Sequence, residues 1–184
     1  MTKVRIIAGK YRGRPLKTPA GQATRPTASR AREALFSILS AREPGLIGCR
    51  FVDLFCGSGA VGLEAISRGA SHALLIDSAP AAIRAAQENE AALKETTAVQ
   101  VQRLDATRLP PARAAFDIAF LDPPYRQDLA VPCLAQLTAG GWLHPSSLAV
   151  AEMGADEAEP EITGLTIIDR RTYGAAKFIF YNVS

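Results

Sequence analysis

Residues 52–62 read VDLFCGSGAVG, and the fold class follows from this stretch. An apolar strand turns sharply into a helix at Gly57 and Gly59, where glycine permits the tight turn and lets a ligand approach the backbone without a Cβ clash. The helix N-terminus beyond the turn offers free N–H groups to an anionic ligand group. The stretch therefore predicts a strand–turn–helix unit that binds a cofactor, with Ser58 inside the turn.

Two carboxylates near this turn indicate the kind of cofactor. Asp77 ends the next predicted strand, where its carboxylate can accept hydrogen bonds from both ribose hydroxyls of a nucleoside. Asp53 lies inside the first strand, where it can reach a cofactor ammonium group. The pair predicts an adenosine-containing cofactor. A literal G-x-G-x-x-G match that ends at Gly62 keeps a nicotinamide-dependent dehydrogenase open as a rival.

A second motif, Asp122-Pro123-Pro124-Tyr125, follows an apolar strand over 116–121. In an open α/β sheet, ligands bind at the carboxyl ends of the strands. Two prolines in a row fix the backbone and remove two N–H donors, which leaves the Asp122 carboxylate and the Pro123 carbonyl as acceptors. Tyr125 adds an aromatic face. Two acceptors that hold the hydrogens of an aromatic amine can aim its lone pair at a methyl donor, so the motif predicts methylation of an exocyclic amine of a base.

These motifs resemble those of the class I amino-methyltransferases. The N-terminal third narrows the resemblance, because RIIAGKYRGR over 5–14 and RPTASRAREALF over 25–36 are similar to the RsmD type of small-subunit ribosomal RNA guanine-N2 methyltransferases. The resemblance covers nearly the whole chain. It implies a seven-stranded sheet, S-adenosyl-L-methionine as the cofactor, and a guanine of 16S rRNA in the assembled small ribosomal subunit as the substrate.

The same resemblance implies roles for individual residues. Gly57 and Gly59 would line the methionine part of the cofactor, and Asp77 would hold the ribose. Asp105, followed by Ala106, would meet the adenine amino group, and Thr27 and Arg30 would belong to a segment that closes over the site. The RNA contacts that it implies, mostly to phosphates, are those of Arg5, Lys10, Tyr11, Arg12, Arg14, Arg25 and Arg30.

Two other functions remain open from the residues alone. An adenine-N6 methyltransferase that acts on DNA or RNA is the alternative, because an Asp-Pro-Pro-Tyr turn can hold either amine. A non-enzymatic RNA-binding module is weaker, since it would need neither the glycine turn nor Asp122. Cys133 falls in a predicted helix, so we interpret it as a small core residue rather than as a catalytic nucleophile.

The order of predicted elements indicates an α/β fold. Strands alternate with helices from residue 50 onward, which predicts a mostly parallel, Rossmann-like sheet covered on both faces. The last two predicted strands form an antiparallel hairpin across Gly174. Thr27 is the predicted N-cap of a helix that reaches about Ser40. We divide the chain into a basic N-terminal β-hairpin over 1–24 and a methyltransferase domain over 25–184.

Charge is distributed unevenly along the chain. Residues 1–50 contain 11 Lys and Arg against 2 Asp and Glu, whereas residues 51–184 contain 10 and 16. A basic segment on an acidic body is typical of a polyanion-binding arm. We therefore expect the hairpin to contact RNA and its removal to spare the fold. The competing interpretation is that this strand pair is an integral part of the core and that its charges are incidental.

The overall composition excludes several classes of protein. Of 184 residues 48% are hydrophobic, and no apolar run approaches the roughly 20 residues that span a membrane. Three scattered cysteines without an export signal predict reduced thiols in the cytoplasm. No Cys/His spacing is typical of a metal site. We expect a cytoplasmic monomer that needs neither a membrane nor a metal.

Overall fold

The computed structural model describes residues 4–19, 26–42 and 45–184, with the side chains of 26–28 left out of the description. Within these residues the chain forms four helices and seven strands. In chain order they are α1 (Pro26–Ser40), β1 (Arg50–Leu54), α2 (Ala60–Ser67), β2 (His72–Asp77), α3 (Pro80–Leu93), β3 (Val99–Arg103), β4 (Phe116–Leu121), α4 (Ala130–Ala139), β5 (Leu143–Gly154), β6 (Leu165–Tyr173) and β7 (Ala176–Val183).

All seven strands belong to one sheet with the order β3-β2-β1-β4-β5-β7-β6. The first five strands in this order are parallel, and β7 pairs antiparallel with both β5 and β6. The chain reverses its direction of strand addition between β1 and β4, which is where an open α/β sheet forms its ligand crevice. The predicted mostly parallel, seven-stranded sheet with a closing antiparallel hairpin is confirmed.

Both faces of the sheet are buried, which explains why its central strands are mostly apolar. Phe51 and Val52 are adjacent in β1 and fully buried on opposite faces. Phe51 packs in a core with Phe36 of α1, and Val52 packs in a second core with Leu134 of α4. Cys133 of α4 is also fully buried, as the sequence predicted. No helix in the described ranges is both long enough and apolar enough to span a bilayer.

Residues 4–17 form a hairpin, here called the N-terminal hairpin, that is more closely tied to the core than the sequence indicated. Its two arms meet in one β-bridge, between Arg5 and Pro15, instead of a full pair of strands. Val4, Ile6 and Leu16 are buried in the core that also contains α1. These apolar side chains complete a core, which argues against the expectation that removal of this segment would spare the fold.

Backbone bonds to α2 and α3 hold the N-terminal hairpin in place. The buried carboxylate of Glu64 accepts hydrogen bonds from the N–H groups of Ile7 (2.7 Å) and Ala8 (2.9 Å). Asn89 of α3 accepts a bond from the N–H of Lys17 (2.8 Å) and donates to its carbonyl (2.9 Å). These hydrogen bonds attach the N-terminal hairpin to the helices that cover the sheet.

Two element boundaries differ from the prediction. Helix α1 begins at Pro26, so Thr27 lies inside the first turn and is not the N-cap. Proline suits this position because its missing N–H has no partner in the first turn of a helix. The sequence predicts a strand that begins only at Ser147, whereas β5 begins at Leu143. The earlier start arises because Leu143 pairs with Phe116 across a register shift.

Candidate active site at the carboxyl edge

The predicted cofactor and catalytic carboxylates converge at the carboxyl edge of the parallel strands. Asp53 lies near the end of β1, Asp77 ends β2, and Asp105 follows β3. Asp122 follows β4, and its N–H donates to the carbonyl of Leu54 in β1 (3.3 Å). Parallel strands present their carboxyl ends at the same edge, so the fold brings together side chains that are far apart in sequence.

The glycine turn between β1 and α2 has the predicted conformation. Gly57 and Gly59 have φ values of 54° and 76°, in the left-handed region that favours glycine. Ser58 between them is buried, and its carbonyl accepts a bond from Asn89 (2.9 Å). A Cβ at Gly62 would lie 2.2 Å from Cδ2 of Leu75, so this third glycine allows close packing of α2 on the sheet. The G-x-G-x-x-G match is therefore explained without a dinucleotide.

Asp53 is a buried carboxylate beneath this turn. It is 1% exposed, and its Oδ2 accepts a bond from the N–H of Gly62 (2.9 Å). Burial raises the pKa of Asp53 from 3.8 to about 7, and the charge of Asp77 adds to the rise. A carboxylate desolvated in this way gains much from a nearby cation.

Asp77 supports the turn from the side of β2. Its Oδ2 accepts the N–H of Gly57 (2.9 Å), and its Oδ1 accepts the N–H of Ala79 (2.9 Å). Each carboxylate oxygen has two lone pairs, so both can accept a further bond from a ribose hydroxyl. The side chain is half-buried, which leaves it within reach of a ligand.

Asp105 and Ala106 occupy the loop after β3. The Oδ1 of Asp105 accepts bonds from the N–H (2.9 Å) and the hydroxyl (2.7 Å) of Thr107, and these bonds lower the pKa of Asp105. Asp105 is exposed, whereas Ala106 is buried in the core under the loop. The loop thus holds an ionised acceptor at the edge of the sheet.

The Asp122–Tyr125 turn presents both an acceptor and an aromatic ring. Among the described residues, the Asp122 carboxylate has no hydrogen-bond or salt-bridge partner, and solvent reaches it. Its dense protein surroundings nevertheless raise its pKa, and the charges of Glu152 and Asp53 raise it further. The Tyr125 side chain is 42% exposed.

Glu152 is a candidate site residue that the sequence did not indicate. The register of β4 and β5 pairs Leu121 with Ala151, so Glu152 stands next to Asp122 on the neighbouring strand. The hydroxyl of Tyr125 donates to its Oε1 (3.3 Å). Burial raises the pKa of Glu152. A carboxylate near the end of a predicted parallel strand was the available signal.

This edge of the sheet holds negative charge that the protein does not neutralise internally. Salt bridges within the described ranges involve none of the five acids Asp53, Asp77, Asp105, Asp122 and Glu152. Grouped carboxylates without a cation are unfavourable unless a ligand supplies positive charge or N–H donors. The same described part of the chain contains no cluster of His, Cys, Asp or Glu that could hold a metal ion. The grouped carboxylates suit an organic cation such as a sulfonium bearing an ammonium group.

The predicted RNA-binding residues lie elsewhere. The backbone of Lys10 and Tyr11 bonds to Ser67, the last residue of α2, and their side chains both bond to Glu95, just after α3. Helices between parallel strands run antiparallel to them, so these helix ends lie at the amino edge of the sheet. The tip of the N-terminal hairpin is therefore at the end of the sheet opposite the carboxylates.

The other predicted RNA contacts differ in their surroundings. Arg5 donates to the carbonyl of Gly13 (2.8 Å), and Arg14 donates to the carbonyl of Ala92 (3.0 Å). Arg12 and Arg30 are exposed. Arg25 and the side chain of Thr27 lie outside the described residues, so their roles stay predictions.

Comparisons with known proteins agree with this geometry. A family model described as "Conserved hypothetical protein 95" matches residues 4–182. Ribosomal RNA small subunit methyltransferase D of Escherichia coli K12 is 36% identical over 160 residues, which are 87% of this chain and 79% of that protein. The protein of the same name from Haemophilus influenzae is 31% identical over 183 residues, with 97% and 93% covered.

A solved structure extends the likeness to three dimensions. A hypothetical protein of Thermus thermophilus, TTHA0928, is 36% identical, has a TM-score of 0.79, and matches over 98% of this chain and 99% of that one. The match of the family model over nearly the full length, together with these identities, decides the classification. The chain belongs to the family described as conserved hypothetical protein 95, and it is similar in sequence to the small-subunit ribosomal RNA methyltransferases of the RsmD type.

Proposed function

We propose that this protein transfers a methyl group from S-adenosyl-L-methionine to the exocyclic N2 amine of a guanine in 16S rRNA, within the assembled small ribosomal subunit. We also propose that the protein acts as a monomer in the cytoplasm and needs no metal. One observation carries the proposal. At the crevice between β1 and β4, the Asp122 carboxylate has no hydrogen-bond or salt-bridge partner among the described residues.

The cofactor would occupy the glycine turn and the acids around it. Asp77 would accept the ribose hydroxyls, and Asp105 with Ala106 would bind the adenine. Gly57, Ser58 and Gly59 would lie along the methionine part. When bound, S-adenosyl-L-methionine supplies a methyl group on positively charged sulfur. The negative potential of Asp53, Asp77 and Asp122 favours this cation over a dinucleotide, whose phosphates are anionic.

The Asp122–Tyr125 turn would prepare the amine for reaction. The nitrogen lone pair of an aromatic amine is delocalised into the ring, which makes the nitrogen a poor nucleophile. Acceptance of its two hydrogens by the Asp122 carboxylate and the Pro123 carbonyl favours a tetrahedral nitrogen with its lone pair aimed at the methyl group. Pro124 keeps the turn rigid, and Tyr125 supports the flat base.

Charge moves in a direction that Asp122 can stabilise. Methyl transfer from the sulfonium, which would be left as a neutral thioether, would place the positive charge on the base nitrogen beside the Asp122 carboxylate. The methylated nitrogen is then strongly acidic, and the Asp122 carboxylate can accept its proton. The raised pKa of Asp122 makes it a better base than an ordinary aspartate.

The names of the relatives support RNA as the substrate. Two relatives at 36% and 31% identity are named as small-subunit ribosomal RNA methyltransferases. The exposed Arg5, Arg12, Arg14 and Arg30 are available for phosphate contacts, and we propose that they provide them. Lys10 and Tyr11 remain proposed contacts, although RNA would compete with Glu95 for them.

The test uses small ribosomal subunits from a strain without the corresponding methyltransferase. The purified protein is incubated with these subunits and S-adenosyl-L-methionine, and the rRNA is digested to nucleosides for mass spectrometry. We expect N2-methylguanosine at one position of 16S rRNA, with less product on naked 16S rRNA. N6-methyladenosine as the product would support the alternative amine, and no methylated nucleoside on either substrate would overturn the proposal.

A further inference from the structure

The site contains a second carboxylate that the proposed chemistry does not yet use. Glu152 stands beside Asp122 because Leu121 of β4 pairs with Ala151 of β5. Neighbouring strands lie about 4.8 Å apart, which is close enough for two side chains to contact one base. The Tyr125 hydroxyl bonds to Oε1 of Glu152, which places the glutamate beside both the acceptor and the aromatic ring.

The Watson–Crick edge of guanine suits such a pair of acceptors. Guanine presents an N1–H donor beside its N2 amine, so its edge carries adjacent donors. Adenine has a lone pair at N1 beside its N6 amine. A carboxylate next to the one that holds the amine would accept the N1–H of guanine, whereas it would repel the N1 lone pair of adenine.

We propose that Glu152 accepts the N1–H of the target guanine and thereby selects guanine over adenine, an inference that rests on the proposed function. It assigns a separate task to each acid, since Asp122 holds the reacting amine and Glu152 reads the neighbouring ring nitrogen. Tyr125 positions Glu152 through its hydroxyl.

The electrostatics of the site agree with this assignment. Asp122 and Glu152 repel each other, and the pKa of Asp122 is raised partly for that reason. A base edge with two adjacent donors relieves this repulsion, whereas an edge with an acceptor adds to it. Sites built to bind a particular hydrogen-bond donor reject analogues that lack it far more strongly than apolar pockets reject a missing methyl group.

The experiment uses an analogue that keeps the amine and loses N1–H. In 2,6-diaminopurine the 2-amine is present and N1 is an acceptor. After the target guanosine has been mapped, small subunits are reconstituted with either guanosine or the 2,6-diaminopurine nucleoside at that position, and kcat/KM is measured for both. Glu152→Gln is the test variant, since its amide can donate to N1. Glu161→Gln changes an exposed glutamate and is the matched control.

The proposal makes a prediction about the ratio of the two rates. The wild type should prefer guanosine by about tenfold or more, and Glu152→Gln should lower kcat/KM on guanosine by about tenfold while narrowing the preference toward one. Glu161→Gln should keep the wild-type ratio. Tyr125→Phe, which removes the hydrogen bond to Glu152, should reduce the preference by a smaller factor.

Different failures identify different errors. If Glu152→Gln slows both substrates equally, or if the wild type shows no preference, Glu152 does not read N1–H and this inference is overturned. The guanosine reaction of the wild type tests the proposed function separately. If the wild-type protein forms no N2-methylguanosine from guanosine subunits, both the proposed function and this inference are overturned.

Discussion

The carboxyl edge of the sheet and the N-terminal hairpin are both strongly charged, but the protein uses the two sets of charges differently. At the carboxyl edge, the Asp122 carboxylate has no salt-bridge or hydrogen-bond partner among the described residues, and Glu152 beside it bonds to Tyr125. In the N-terminal hairpin, Lys10 pairs with Glu95 and Lys17 pairs with Glu88. A charged side chain without a partner inside the protein indicates a ligand site, whereas a charged side chain in a salt bridge also contributes to the folded structure.

The two regions also differ in how deeply their side chains are buried. Ile6 of the N-terminal hairpin is 2% exposed, while Asp122 is open to solvent. Changes at the carboxyl edge should therefore affect activity while the fold survives. Changes at the apolar side of the hairpin should affect the fold first.

Replacement of the central acceptor should have the largest effect. We expect Asp122→Ala to lower kcat by about 100-fold or more, because its bonds to the amine strengthen as the nitrogen becomes tetrahedral. Affinity for S-adenosylhomocysteine, measured by calorimetry, should change little. Glu161→Ala, which removes an exposed acid without a salt bridge among the described residues, is the control. A fully active Asp122→Ala variant would contradict the assigned role.

The next effect is on stability and comes from the hairpin. Ile6→Ala should lower the free energy of unfolding by about 2–4 kcal/mol, because a fully buried side chain is replaced by a cavity. Urea unfolding measures the loss. Arg12→Ala in the same hairpin is the matched control and should leave the free energy nearly unchanged, since Arg12 is exposed. Equal stability of the two variants would show that the hairpin does not contribute to the core.

A pH-dependent effect should arise at the carboxyl edge. Because burial raises the pKa of Asp53 from 3.8 to about 7, the folded protein binds this proton more tightly than the unfolded chain does. In the absence of cofactor, the free energy of unfolding should therefore be higher at pH 5 than at pH 7. We expect it to fall by about 2–3 kcal/mol as the pH rises from about 5 to 7. Urea unfolding across this range should show a smaller fall for Asp53→Asn, and Asp105→Asn is the exposed control. Parallel curves for wild type and Asp53→Asn would show that Asp53 is not the cause.

The smallest effect should come from the exposed basic residues. We expect Arg12→Ala to weaken binding to small subunits by less than about tenfold and to reduce the slope of log K against log salt by roughly 0.7–0.9, as the loss of one phosphate contact requires. A slope equal to that of the wild type would show that Arg12 does not contact RNA. The remaining hairpin residues can be ranked by the same measurement.

The two regions also differ in how far the sequence predicted them. Glycines in a turn and an Asp-Pro-Pro-Tyr motif are local signals, because the chemistry of each is set by residues adjacent in the chain. They predicted the sheet, the turn and the positions of Asp53 and Asp122. Glu152 was missed because its importance depends on the register of β4 and β5, which pairs residues about thirty positions apart.

The burial of the N-terminal hairpin was hard to predict for a related reason. Its Lys and Arg residues stand out in the sequence, whereas the short apolar run that contains Val4 and Ile6 does not reveal which surface it will cover. Their burial depends on contacts with α1 and α2, and the hydrogen bonds of Ile7 and Ala8 depend on Glu64, 56 or 57 residues further along the chain. Long-range packing of this kind has no short sequence signature.

Calorimetry of the cofactor is the sharpest test of whether the acids at the carboxyl edge form a site for a cationic methyl donor. The purified protein is titrated with S-adenosyl-L-methionine, S-adenosylhomocysteine and NADH, and the titrations are repeated with Asp77→Ala. We predict that both S-adenosyl compounds bind and that NADH does not. Asp77→Ala should weaken their binding by about 1–3 kcal/mol through lost ribose hydrogen bonds. Tight binding of NADH with no response to S-adenosylhomocysteine would contradict this assignment of the site.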